Sequence, residues 1–452
     1  MRVTTLGHAS VLIEMGQDKI LIDPIFDDVF ASGTLCLHPP RNIEADALIA
    51  ATTVLVITHI HLDHFHPPTL TRFPRNVQMI IPMHDALQAA VSALGFTAVT
   101  VLAPWSRYVL DAGSLVATPS DFELEEFGLL AIAGEERYWH MSDAIVTPEI
   151  GQRVRAEYGA MSLAAVKFQP LRTLIAYQRG LASTMLDRDD LTSTFEAACA
   201  AEPACLFPYY SGFAFHGEHA WANRHIAPYQ AEEIAALLRQ RLGDASRVET
   251  VAPGDVFEIA ARAIDKHPGS SPYVRVREAP PVQPWEPIDP TTLAGVAGPS
   301  ELVWLTLEVR RLLTNEIHPW VQAHLDAATG LFDSYRALQA VWQCVIHLGD
   351  DRRLHHGIDF RSAPPRLYLD QVLPTANVFS HLGGRSLLQV LRRHSGPEVF
   401  WMAGGYRIYE KLLYLDNGKI RAPAMPEWEL YERLPDPLTH YLRKVPRPAI
   451  SG

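Results

Sequence analysis

The chain has 452 residues, 48% of them hydrophobic, and a formal net charge of −12; that length points to two domains, each able to bury a full core. The acidic balance argues against nucleic acid or an anionic membrane as the main partner, because a groove that tracks phosphates needs a basic excess. Cys36, Cys199, Cys205 and Cys344 form no C-x-x-C pair, and neither an apolar signal core nor an apolar run of about 20 residues is seen, so a cytoplasmic protein with reduced thiols is expected, without a membrane span.

Along the chain, VTTLG, SVLIEM, KILID, TVLVIT and VQMIIP are short strand-like runs separated by polar or Gly/Pro breaks. ALQAAVSAL has helical period; TAVTVL and SLVATP return to strand character; LTSTFEAACA and AEEIAALLRQRL are helical. Strands feeding helices in this rhythm predict an α/β layered domain. From His267 to Pro290 the sequence is crowded with prolines, which fix φ and remove donors. The expected organisation is therefore a domain over 1–265, a linker over 266–298, and an α+β domain over 299–452. The last contains the helical ELVWLTLEVRRLLTNEIHPWVQAHL, then RALQAVWQCVIHL, then aromatic-rich strands, with a hairpin signal at Asp416, Asn417 and Gly418. This second domain is expected to bind substrate or to dimerise.

The densest chemical signal is 54-VLVITHIHLDHFH-66. Its H-x-H-x-D-H core follows a buried-type strand, and alternation in an extended segment sends His59, His61 and Asp63 to one side, with His64 turning back to join them. Imidazoles and carboxylates at this density suit two divalent transition ions.

This run resembles the metal-binding signature of the metallo-β-lactamase superfamily. The opening MRVTTLGHASVLIEMGQDKILIDPIF, with its G-H-A-S turn and I-D-P step, is similar to that superfamily's first strands. The stretch 138-YWHMSDAIV-146 resembles the strand whose terminal aspartate bridges the two metals, here Asp143, with Ser142 where the family usually has glycine. The resemblance covers about 1–265 and implies an αββα sandwich. His140, three residues before Asp143, falls on the opposite strand face and reads as structural.

In the zinc hydrolases of this superfamily a further histidine lies between the H-x-H-x-D-H run and the bridging aspartate. No histidine stands here between His84 and His140; 118-TPSDFELEEFG-128 offers Asp121, Glu123, Glu125 and Glu126 instead. Asp121 or Glu123 is the expected ligand, with Glu126 open. Carboxylate donors shift preference from zinc towards iron or manganese. The resemblance implies a final metal histidine just before a proline and an acidic helix start, which favours His225 over His216. Tyr209 and Tyr210, at a strand end close by, are pocket candidates.

The carboxylate replacement resembles the non-heme diiron oxygenases with this fold, of the chloramphenicol-pathway β-hydroxylase and platensimycin-pathway diterpenoid hydroxylase type. That likeness implies two Fe ions, O₂ as co-substrate, and an electron-donor reductase or ferredoxin. It further implies a small-molecule substrate such as a natural product or a CoA- or carrier-bound thioester; a homodimer is compatible with the aromatic-rich second domain. The alternative is a hydrolase in which the same ligands hold two zinc ions and activate water against an ester, lactone or phosphodiester.

Overall fold

The computed structural model describes residues 1–121, 125–168, 195–196, 198–210, 212–225, 231–242, 247–261, 263–279, 286, 293–327, 332–392, 404–410, 414–416 and 419–421. Two large sheets face each other in the first part of the chain. The first has eight strands in the order Ala263–His267, Val256–Ala260, Arg2–Gly7, Ser10–Met15, Asp18–Ile22, Val54–Val56, Gln78–Ile81 and Val99–Val101. The second has seven: Arg107–Val109, Ser114–Pro119, Phe127–Ala133, Glu136–His140, Leu163–Phe168, Cys205–Tyr210 and Arg247–Val248.

The period of two along each strand decides the layering. Val11, Ile13, Ile20 and Val56 of the first sheet pack with Leu115, Leu129, Tyr138 and Phe207 of the second. Their neighbours Leu12, Leu21 and Leu55 turn outward onto Leu48, Leu87 and Val91 of the helices Ala45–Ala51 and Asp85–Ala93. On the far side Leu130, Trp139 and Leu206 meet Val154, Ile234 and Leu238 of the helices Pro148–Tyr158 and Ala231–Leu242. The result is the expected αββα sandwich. Each sheet changes from antiparallel hairpins to parallel pairing midway, at Ile20–Val54 and at Tyr138–Leu163. Parallel pairing needs long crossovers, so the carboxyl ends of these central strands open onto loops.

Residues Ala297 to Tyr406 supply a further core, which shares no residue with the clusters of the sandwich. There a five-stranded sheet runs Arg366–Leu369, Arg352–Asp359, Val341–Gly349, Val378–Gly383 and Tyr406–Glu410, packed with the helices Leu302–Leu312, His318–Asp326 and Gly384–Leu391. The strand Val341–Gly349 is central and almost wholly buried on both faces, which is why its run VWQCVIHL shows no hydropathic alternation. Tyr414–Asp416 pairs with Lys419–Arg421, opposing Asp416 to Lys419 as the hairpin signal requires.

One reading needs correction. The stretch 266–298 is not linker throughout: His267 ends a paired strand, and Val274–Val276 pairs with Arg41–Ile43, burying Val274 in the sandwich. Valine alternation there outweighed the flanking prolines. LTSTFEAACA lies largely outside the described residues, with helical structure at 195–196 and 198–200.

Candidate metal centre

Beyond the strand Val54–Val56 the chain leaves the sheet and turns. The amides of His64 and Phe65 donate to the carbonyl of His61, at 2.9 and 2.7 Å. This turn, rather than extended alternation, gathers the side chains, because a hydrogen-bonded loop can aim consecutive residues at one point. His59 and His64 are fully buried, and their rings lie 4.0 Å apart. His64 Nε2 is 3.5 Å from Asp143 Oδ1 and 3.8 Å from Asp63 Oδ2. His59, His64 and Asp143 offer ligand atoms all within 4.8 Å of one another, and so do His8, Asp63 and His64. The two groups share His64, and Asp143 comes from the opposite sheet, just past Glu136–His140.

A buried carboxylate orients the cluster. Asp23, at the end of the neighbouring strand, accepts from Thr58 N at 2.8 Å, Thr58 Oγ1 at 2.6 Å and His64 Nδ1 at 2.7 Å. Thr58 spends its one hydroxyl proton on Asp23, so Ser142 Oγ, 2.7 Å away, donates to Thr58. His59 Nδ1, at 3.1 Å, then also donates to Thr58 Oγ1, which leaves His59 Nε2 as an acceptor; His61 Nδ1 donates to it across 2.9 Å. Such outer partners fix the tautomer that a ligating imidazole needs.

Three non-glycine residues around the centre have left-handed backbones: His8 (φ 50°), Asp23 (φ 43°) and Ser142 (φ 49°). Strain of this kind costs of order 1–3 kcal/mol per residue and clusters at functional sites. Glycine would adopt this backbone before Asp143 without strain. Here serine takes the position, and its bond to Thr58 offsets the strain.

The electrostatics are those of a site that neutralises its acids with protons. Burial pushes His59 well below the usual imidazole range and lowers His61 as well. Burial opposes charge on His64 too, but Asp63, Asp143 and Asp23 overcome it and hold His64 well above that range. Against burial, His64 and His8 hold Asp63 low, while Lys167 and His64 hold Asp143 well below the carboxylate range. Lys167 Nζ sits 3.0 Å from Asp143 Oδ2 and donates to its carbonyl at 3.1 Å. Nothing in LAAVKF beyond a lysine in an apolar strand signals this partner.

Of the acidic segment, Asp121 is exposed, and its amide is bonded to the Ile145 carbonyl; Glu123 lies outside the described residues. The buried acid is Glu126, which accepts from Ser120 Oγ at 2.6 Å. Burial and the charge of Asp143 raise its pKa, and His64 and Lys167 act on it as well. The structure thus turns Glu126 inward and Asp121 outward, because Ser120 ties the loop to Ile145 and to Glu126.

His225 is not gathered into the cluster; its Nδ1 bonds to the Glu286 carbonyl at 2.7 Å. His216 is exposed and bonded through its amide to Thr34. Tyr209 is buried and stacks on His140 with centroids 5.0 Å apart, while the side chain of Tyr210 lies outside the described atoms. His140 is fully buried, its Nδ1 lies 3.1 Å from Tyr138 Oη, and burial lowers its pKa to about 4. On the far side Phe30 and Phe213 wall the ring of His8, with centroids 5.7 and 5.8 Å away. His8 and Asp23 escaped the sequence reading as site residues although the G-H-A-S and I-D-P motifs contain them.

Comparison with known proteins agrees with this architecture. Residues 2–144 match the beta-lactamase superfamily domain. Protein YddR of Bacillus subtilis is 28% identical over 116 residues, covering 23% of this chain and 43% of its own. A putative Rieske 2Fe-2S iron-sulfur protein of Mycolicibacterium smegmatis is 31% identical over 100 residues, covering 21% of this chain and 19% of its own. The chain thus spans less than half the length of either curated relative. Similar solved structures include CmlA, a diiron beta-hydroxylase from Streptomyces venezuelae, at 18% identity, TM-score 0.40, and 56% and 53% coverage of this chain and that one. Another is an isothiocyanate hydrolase from Delia radicum gut bacteria, at 15% identity, TM-score 0.41, and 57% and 99% coverage. With two facing sheets clad by helices, a matched N-terminal segment, and histidines and aspartates meeting at the strand ends, the chain has a metallo-β-lactamase fold that carries a candidate metal centre.

Proposed function

We propose that this protein is a non-heme diiron monooxygenase that hydroxylates a C–H bond of a natural-product or acyl-thioester substrate, using O₂ and electrons from a reductase or ferredoxin. The observation that carries this reading is the carboxylate content of the centre. Asp63 and Asp143 cluster with His8, His59 and His64, and the buried Glu126, which feels the charge of Asp143, comes from the segment where the zinc hydrolases of the superfamily place an imidazole. Oxygen donors mixed with imidazoles favour iron over zinc.

The residues fit a metal. His64 Nε2 is enclosed without a hydrogen-bond partner among the described residues and faces Asp63 and Asp143, while its Nδ1 is committed to Asp23. His59, His61 and Glu126 would hold one ion, and Asp63, His64 and Asp143 the other. Bound iron would supply O₂ activation and the oxidation itself. The chain's part is to orient and to exclude water: Asp23 holds His64, Thr58 holds His59, and Phe30 and Phe213 keep the side of His8 dry. Lys167 balances the charge of Asp143. The separate core of 299–452 would take the substrate or a second copy of the chain, with the sandwich extending to Val276.

Metal analysis of protein expressed with iron, zinc and manganese all present, with optical spectra before and after dithionite, tests the proposal. About two irons and a charge-transfer band that bleaches on reduction are expected. Two zincs and no band would replace this reading with a zinc hydrolase.

A further inference from the structure

The C-terminal core contains a pair of histidines that packing alone leaves unexplained. The helix Leu302–Leu312 continues through one turn of π-helix, Leu313–Ile317, into His318–Asp326. Single π turns are rare and recur at functional sites because they reset the angular position of the next side chain. That next side chain is His318. Its ring lies 4.8 Å from the ring of His356, with the planes inclined at 54°.

All four ring nitrogens of the two residues are enclosed and have no hydrogen-bond partner among the described residues. A neutral imidazole carries one donor and one acceptor, so two donors and two acceptors are withdrawn from water without replacement. Each such group costs about 1–3 kcal/mol, which a fold does not carry four times over without a reason. Burial lowers the pKa of His318, and burial, with repulsion from a proton on His318 or His355 and from Arg310, lowers that of His356 to about 3. Both rings are therefore neutral near pH 7, the state in which imidazole ligates metal. Cys344 stands directly across the strand pair from His356, and the register puts it on the same, helix-covered face. Among the described residues no carboxylate lies within ion-pair distance of either ring, although the charge of Asp370 reaches His318.

We propose that His318 and His356 form a second metal site, independent of the centre at His59 to Asp143, that takes a borderline transition ion such as zinc. Nitrogen donors beside a thiol and without carboxylates select zinc, copper or nickel over magnesium, calcium or manganese. Ligation would satisfy one nitrogen of each ring and explain why two neutral imidazoles face each other beneath a distorted helix.

The test is zinc stoichiometry of the full chain after loading and removal of free metal, for wild type, His318→Gln and His356→Gln. Each variant is expected to hold one zinc per chain fewer than wild type, with near-ultraviolet circular dichroism unchanged. The difference of one is read whatever the first centre holds, so it does not depend on the oxygenase reading. Should His356→Gln misfold, His318→Gln, on the more exposed helix, decides alone. Equal stoichiometry in wild type and in the folded variants would overturn the proposal.

Discussion

Replacing Asp23 with alanine removes the carboxylate that accepts hydrogen bonds from Thr58 N, Thr58 Oγ1 and His64 Nδ1. The residue is fully buried, so water does not replace the lost partner. Thr58 Oγ1 keeps Ser142 and His59 as neighbours, but the backbone N–H of Thr58 and one imidazole nitrogen lose theirs. An unsatisfied buried donor costs about 1–3 kcal/mol, and breaking a buried charge pair about 3–5 kcal/mol. Removing a charge that was itself costly to bury returns part of this. Moreover, His64 keeps Asp63 and Asp143 nearby, so a net loss of about 2–4 kcal/mol in the metal-free protein is expected. The effect on metal binding separates positioning from mere stability. Loss of an outer partner of a ligating histidine typically lowers metal affinity about 10–100-fold. Asp23→Asn, which keeps the side-chain volume, should show that drop in chelator competition while unfolding in urea at a denaturant concentration closer to wild type than Asp23→Ala. Wild-type affinity in Asp23→Asn would refute the claim that this carboxylate orients His64 for metal.

Lys167→Met removes a cation 3.0 Å from Asp143, the carboxylate proposed as a metal ligand. At about 5 Å and an effective dielectric of about 20, two unit charges repel by roughly 3 kcal/mol, so metal affinity should rise at least tenfold by chelator competition; unchanged or weaker binding contradicts this. Ser142→Gly trades left-handed strain against the bond to Thr58 and should change thermal stability by less than about 1 kcal/mol, whereas Ser142→Val keeps the strain and loses the bond, costing about 2–3 kcal/mol. A valine variant as stable as the glycine one would show that φ at this position is not constrained. The folded-state pKa of His356, about 3, lies below the ordinary 6.5, so the unfolded chain takes the proton first. Stability from this group is complete above about pH 6.5 and falls as pH drops towards 3, by up to ~1.4 kcal/mol per pH unit. Urea titrations of the metal-free protein should show a shallower acid slope in His356→Gln, and identical slopes would contradict the burial argument.

The ligand types and the strands that carry them were legible because both depend on local pattern. Val54–Val56 is apolar and β-branched, and His59, His61, Asp63 and His64 follow it within eight residues whatever the rest of the chain does. The period of two in SVLIEM and KILID fixed which residues face the second sheet and hence the sandwich. Long-range geometry decided what local pattern could not. Asp23 meets His64 across 41 positions once their neighbouring strands pair, and Ser142 meets Thr58 across 84 once the two sheets close. That Glu126 points inward and Asp121 outward turned on one serine hydroxyl, and the strand Val274–Val276 appears only because Arg41–Ile43 offers it an edge. The sequence by itself determined which chemistry the chain can carry, since donor atoms belong to residue types. Tertiary structure decided their orientation, tautomer and charge, because those depend on neighbours that only folding brings within hydrogen-bond reach.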